Sequence, residues 1–529
     1  MKSKVMSAEE AAKLIKSGDT VLLSGFVSMC HPVELTKAVV ERFEKTGEPK
    51  GITLFAPVGM TWTDLWAKEG LVKKLVTCHI GLAPKLNKEV IANRVEAYII
   101  PFGPITHLVR AAAGKKPGIL SRIGLGTFVD PRFGAGRVNT CSHDKVSEIM
   151  VIDGNDHIFY KSWPLDVVLL RGTTADEKGN ITVEKEAMVI DLASEAAAAK
   201  ANGGIVIAQV ERVTKYGTLN PKDVRLPGIL VDAIVIAKPE NHWQSAVEAF
   251  NPALSGHIKL PLAALPTMPF SERKIINRRA VMEFVSQGVL NQGIGMPEGL
   301  GPVATEEGIG DEMTINIESG CIGGQMQGGY LFGASLNAEA HIDITLNFDI
   351  LDSGVLDLTC LGMAEVDLNG NVNVSKFGPR IPGPGGFIDM TQSAKKIVFL
   401  GTFTAGDLQI AVENGNLKIV KEGSPKKFLK SVEQVTFSAD FAKKFGQTVL
   451  YVTERAVFEL RQEGFTLIEV APGIDIEKDI LPQMEFKPLI AKDLKTMDPR
   501  IFSEGPMGIR DEIINKEKAA KEKNFRKAV

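Results

Sequence analysis

The sequence predicts an α/β fold made of two tandem, related halves with mainly parallel sheets. Three observations predict it. The first is alternation. The β-branched runs "DTVLLSGF" (19–26), "GITLFAPVG" (51–59), "DVVLLRGT" (166–173) and "GGIVIAQV" (203–210) are separated by helical stretches. The pattern resumes with "TINIESG" (314–320), "VLDLTCLG" (355–362) and "KKIVFLGT" (395–402). Strands separated by helices form parallel sheets covered on both faces. The second is an internal repeat. "LLRGTTADEKGNITVEKE" (169–186) matches "CLGMAEVDLNGNVNVSKF" (360–377), with Gly172 opposite Gly362 and Gly179-Asn180 opposite Gly370-Asn371. "GGIVIAQV" then opposes "KKIVFLGT", and "LSGFVSMCHPVEL" (23–35) opposes "NQGIGMPEGL" (291–300) with Pro32 against Pro297. The third is punctuation: "LSGHIKLPLAALPTMPFSERK" (254–274) is proline-rich and shows no period. These give a first domain over 1–265, a second over 275–515, and a charged tail over 516–529 that reads as a fraying helix.

Composition narrows the function. The chain has 529 residues, 44% of them hydrophobic, enough for large cores in more than one domain. Its 61 basic and 64 acidic residues leave a net charge of -3, so neither a nucleic-acid groove nor an anionic-membrane patch is expected. Eight histidines and five cysteines (Cys30, Cys78, Cys141, Cys321, Cys360) show no CxxC or HExxH spacing, so no metal centre is expected. Isolated cysteines in odd number fit a reducing compartment. The start, "MKSKVMSAEEAAKLIKSGD", lacks the apolar core of a signal peptide, and Ser7 with Glu10 reads as a capping box. "GILVDAIVIA" (228–237) is too short to span a bilayer and carries Asp232, so it reads as a buried strand. The expectation is a cytoplasmic protein.

One acid stands out. In "INIESGCIGGQMQGGYLFGAS" (315–335), Glu318 ends an apolar strand and precedes a dense run of glycines. Met313, Ile315 and Ile317 alternate with Thr314, Asn316 and Glu318, as in a half-buried strand. The acid thus falls at a strand's carboxyl end, where open α/β sheets hold their ligands. Aligning Gly59 with Gly320 sets Pro57 opposite Glu318, so only one half carries the acid. No Lys-Ser or Lys-Thr follows the glycines as a P-loop requires, and no G-x-S-x-G elbow is present. A second cluster, "KFGPRIPGPGGFIDM" (376–390), offers Gly383, Gly385 and Gly386 as unobstructed main-chain donors. A carboxylate facing such donors is an acyl-transfer arrangement.

At these residues the sequence resembles the family I coenzyme A-transferases, in particular the fused, single-chain propionate/acetate type. "SGFVSMCHPVEL", "GLGTFVDPRFGAG", "GGIVIAQVERV", "ESGCIGGQMQGG", "GNVNVSKFGPRIPGPGGF", "GTFTAGDL" and "TERAVFEL…LIEVAPGIDIEKDIL" resemble family segments in the family order. The resemblance implies two Rossmann-like domains with the active site at their interface. It implies Glu318 as nucleophile in ping-pong transfer of CoA between a short-chain acyl-CoA and a free carboxylic acid, through an acyl-glutamyl anhydride and a glutamyl-CoA thioester. It places the main-chain oxyanion donor at Gly385 or Gly386, with Gly386 preferred. Gly293 and Gly295, with Asn371, Asn373, Lys376 and Arg380, are the residues it offers to CoA. CoA is a substrate there, transiently covalent on Glu318, and no tightly bound cofactor is implied. A homo-oligomer, dimer or tetramer, is also implied. Two departures concern the acyl end: Phe102 stands where relatives carry a donor glutamine, and Gln325, Met326 and Gln327 replace Val-Pro-Ala. Both point to a reshaped substrate pocket. Two other readings share the fold: an acyl-CoA hydrolase using the same glutamate, and a non-catalytic ligand-binding regulator.

Overall fold

The structure, a computed structural model, describes residues 3–59, 61–261 and 267–516. Most of the tail at 516–529, and 262–266 within the proline-rich connection, lie outside the described residues. The described residues form two large sheets. The first holds β1 (Thr20–Leu23), β2 (Ile52–Phe55), β3 (Val72–Thr77), β4 (Glu96–Ile99), β5 (Val167–Arg171), β6 (Ile205–Val210) and β7 (Ala233–Ile236). Its order is β7-β6-β5-β1-β2-β3-β4, and every pairing is parallel. β1 and β5 are buried at every residue, as strands covered on both faces must be. The capping box at Ser7 and Glu10 is present. "GILVDAIVIA" supplies β7, and the Asp232 carboxylate before it accepts the Val206 N–H at 2.8 Å.

The second sheet holds β8 (Gly288–Gln292), β9 (Met313–Ile315), β10 (Leu358–Gly362), β11 (Lys396–Leu400), β12 (Thr448–Val452), β13 (Ala456–Arg461), β14 (Gly464–Val470) and β15 (Leu489–Thr496). Its order is β9-β8-β10-β11-β12-β13-β14-β15, parallel through β12 and then antiparallel across β13. The first five strands repeat the order β2-β1-β5-β6-β7 of the first sheet. The repeat extends to atoms. Asn180 gives its N–H and side-chain amide to Asp176 at 3.0 and 2.8 Å, and Asn371 gives the same two groups to Asp367, both at 3.0 Å. β2 and β9 occupy equivalent places, so Glu318 has its counterpart in the loop after β2.

Four helices meet along the seam: α1 (Phe102–Ala113), α2 (Leu192–Ala201), α3 (Ile344–Ile350) and α4 (Phe387–Ser393). Each half sends a carboxylate to the start of a helix in the other. Asp191, just before α2, accepts the Thr345 N–H at 2.9 Å and its hydroxyl at 2.8 Å. Asp389 of α4 accepts the N–H groups of Phe102 and Gly103 at 3.1 and 2.9 Å. The N–H groups left unpaired at the start of a helix take these carboxyl oxygens as acceptors. Apolar side chains from both halves join in one continuous core, including Phe26, Phe102, Phe348 and Phe387.

Candidate active site

Glu318 lies just past β9, at the carboxyl end of the second sheet. The chain turns sharply there. Gly320 N–H bonds back to the Ile317 carbonyl at 2.9 Å, and that carbonyl also accepts the Asn347 side-chain amide from α3 at 2.8 Å. Gly320 has φ +87°, and a Cβ on it would stand 2.1 Å from the Ile342 carbonyl oxygen, so the turn requires glycine. The Glu318 side chain is only 5% exposed, and its Oε2 has no hydrogen-bond partner among the described residues. Burial raises its carboxyl from 4.5 to about 7. The carboxylate is therefore desolvated, poorly satisfied, and poised between its two protonation states at neutral pH.

The second glycine cluster meets it. A Cβ on Gly386 would stand 2.6 Å from Glu318 Oε1, so the carboxylate occupies the space a side chain would fill. The two candidate donors differ. Gly385 N–H is spent on the Cys78 carbonyl oxygen at 3.0 Å. Gly386, the residue just before α4, has no partner for its N–H among the described residues. The loop is held from the first half: Ile80 N–H donates to Pro382 O at 2.7 Å and the Asn87 amide to Ile381 O at 3.0 Å. Glu318, Gly385 and Gly386 thus come together at the seam between halves.

Phe102 lies in the same region but away from solvent. Its ring packs against Phe348 at 4.9 Å and Phe26 at 5.7 Å between centroids, and is 2% exposed. It contributes a main-chain donor, to Asp389, rather than a side-chain one. The Asp389 carboxyl is pushed well above the ordinary range by burial first, and then by Asp352.

The residues expected to serve CoA divide. Gly293 N–H is given to Cys360 O at 2.9 Å and Gly295 N–H to Glu298 Oε1 at 3.0 Å, so neither glycine has its N–H free for a ligand. Glu298 also accepts the Gly329 N–H at 3.3 Å, tying this turn to the glycine run after Glu318. The Asn371 amide is shared between Asp367 and the Ala439 N–H, and that of Asn373 between Glu365 and the Lys376 carbonyl. Both asparagines build the turn with these groups. Lys376 lies 3.6 Å from Glu433, whereas Arg380 is exposed on the turn and its guanidinium has no partner among the described residues.

Gln325 and Met326 form a short strand paired with Ser335–Leu336. Gln325 borders a cavity of about 550 Å³ with Gln292, Leu300 and Met313, and Glu318 is not in its lining. Met326 is buried, and the Gln327 amide folds back on the Gln325 carbonyl at 3.1 Å. The expected substrate-pocket triplet is thus part of a hairpin that follows the strand leading to Glu318. Sequence reasoning missed His79, Cys78 and Asp389. Cys78 and His79 belong to the first half and meet the 383–386 loop only where the halves dock, whereas Asp389 lies within the 376–390 segment and reaches across to Phe102 and Gly103.

The sequence and the fold match known proteins. A family model described as coenzyme A transferase matches residues 5–237. The caffeate CoA-transferase of Acetobacterium woodii is 45% identical, over 97% of this chain and 100% of its own. The acetate CoA-transferase YdiF of Escherichia coli K12 is 40% identical, over 95% of this chain and 96% of its own. Among solved structures, the YdiF acyl-CoA transferase apoenzyme of Escherichia coli O157:H7 matches with TM-score 0.91 and 39% identity, covering 96% of this chain and 97% of that one. Its thioester complex with CoA matches equally well at 38% identity, with the same coverage. With likeness of this degree over nearly its whole length, the chain belongs to the coenzyme A transferase family and is a CoA-transferase.

Proposed function

We propose that this CoA-transferase moves CoA between a short-chain acyl-CoA and a free carboxylic acid, with Glu318 as the covalent carrier. A Glu318 carboxylate oxygen attacks the acyl carbonyl carbon, and the C–S bond breaks to release CoA thiolate and an acyl-glutamyl anhydride. The thiolate then attacks the glutamyl carbonyl carbon, the donor acid leaves as a carboxylate, and a glutamyl-CoA thioester remains. An incoming carboxylate reverses both steps and leaves as the new acyl-CoA. Gly386 N–H is the donor for the oxyanion that develops in each addition. Desolvation serves the chemistry twice. It strips water from a weak nucleophile, and it keeps water from the anhydride.

The observation that carries this reading is the buried Glu318 carboxylate, with Oε2 unpartnered and Oε1 against Gly386. A relative solved as a thioester with CoA supports covalent chemistry in close kin. Arg380 is the strongest candidate for a CoA phosphate contact, because it is an exposed cation beside the Gly383–Gly386 loop. The test is incubation with acyl-CoA and no acceptor, followed by borohydride reduction and peptide mass analysis. The expected result is a reduced glutamyl at 318 in wild type and none in Glu318→Gln. An unmodified 318 peptide under turnover conditions overturns the mechanism. Free CoA release that needs no acceptor acid assigns the chain to hydrolysis instead.

A further inference from the structure

We infer that His79, from the first half, is a substrate-binding residue: its Nε2–H donates to an oxygen of the carboxylic acid or acyl group held at Glu318. The inference rests on the covalent reading above and adds the donor that the sequence leaves missing at Phe102.

The geometry is specific. His79 follows β3 and sits under the glycine loop of the other half. A Cβ on Gly383 would stand 3.1 Å from its Cα, and one on Gly385 would stand 4.0 Å from its Cδ2. Gly385 is adjacent to Gly386, which touches the Glu318 carboxylate. His79 Nδ1 accepts the Gly81 N–H at 3.1 Å. An accepting Nδ1 bears no proton, so the neutral ring carries its proton on Nε2. No hydrogen bond joins that Nε2–H to another described residue, and the side chain is half-buried, so the donor is open to an incoming oxygen. Its neutral state agrees with partial desolvation of the half-buried ring, which lowers it to about 4. A neutral donor with a fixed tautomer is a good match for a substrate oxygen. It binds without the desolvation cost of a cation and without forming an ion pair with Glu318 that would blunt the nucleophile.

The position also explains how Phe102 is tolerated. Its ring is committed to Phe26 and Phe348, and its N–H to Asp389, so position 102 supplies the site with no donor. The opposite wall of the loop supplies one instead.

The test compares His79→Phe, which keeps a ring and removes the donor, with His79→Gln, which keeps a neutral N–H. Both are measured for kcat and for KM of acceptor acid and acyl-CoA, with borohydride trapping at Glu318 in parallel. His79→Phe is expected to lower kcat/KM for the acid about 10²-fold, the loss typical of one such donor. His79→Gln is expected to recover most of that loss, with the KM for acyl-CoA changing less than that for the acid. Wild-type kinetics in His79→Phe would overturn the inference. So would an equal loss in both variants, which marks a packing role. Absence of trapped glutamyl in wild type would instead strike the covalent reading, so the two failures are distinguishable.

Discussion

Replacing Glu318 by Gln should change how stability depends on pH, apart from any effect on turnover. The Glu318 carboxyl ionises near 4.5 when solvated and near 7 in the fold, because burial disfavours its charged form. Between those values the folded chain holds a proton that the unfolded chain has lost. Stability therefore falls as pH rises through this window, and the whole penalty is present above pH 7. At about 1.4 kcal/mol per pH unit, a rise from 4.5 to about 7 corresponds to a cost on the order of 3 kcal/mol. Glutamine carries no such proton. The Glu318→Gln variant should thus gain on wild type by about 3 kcal/mol between pH 4.5 and pH 8, or about 3 °C in Tm for a chain of this size melting as one unit. Paired thermal or urea melts at pH 4.5, 6, 7 and 8 measure it, and subtraction removes the other titrating groups. A gap that stays flat with pH would show a solvated carboxylate. A gap that closes as pH rises would show one paired with a cation. Either result refutes the desolvated state of the Glu318 carboxyl.

Gly386→Ala should reduce turnover about 10²-fold or more with little change in circular dichroism, because the methyl group enters the Glu318 carboxylate. Asp389→Ala should cost about 3 kcal/mol in urea unfolding, since it orphans two buried N–H groups at the start of α1. Phe102→Ala should cost about 3–5 kcal/mol by the same assay, as expected for a fully packed aromatic ring. If the cavity it leaves reaches the acyl site, a panel of acids will shift toward bulkier members. Arg380→Ala should raise the KM for acyl-CoA several-fold with an unchanged Tm, and added salt should weaken CoA binding less in the variant than in wild type.

Much of the fold was written locally. Alternation of apolar runs located β1, β2, β5, β6 and β7 of the first sheet and β9, β10 and β11 of the second, and the Asp-x-x-Gly-Asn turns at 176–180 and 367–371 announced the repeat that the sheet orders display. Glu318 was visible for the same reason: it ends a strand beside glycines and has no acidic counterpart at Pro57. What the sequence concealed were groups whose role depends on the partner half. Nothing in "TCHIG" (77–81) signals that His79 will lie under residues 383–385, or that the Cys78 carbonyl will take the Gly385 N–H. The asparagines at 371 and 373 were misleading in the opposite sense. Polar side chains near a glycine loop suggest a ligand, yet theirs are consumed in shaping the turn.

That bond from Gly385 to Cys78 orients a peptide plane in one half by means of a carbonyl in the other. Cleaving the polypeptide within 254–274 would therefore yield two fragments that are each catalytically silent, however well either one folds. Mixing them should restore turnover at a rate second order in fragment concentration, because the competent arrangement comes into being only on encounter.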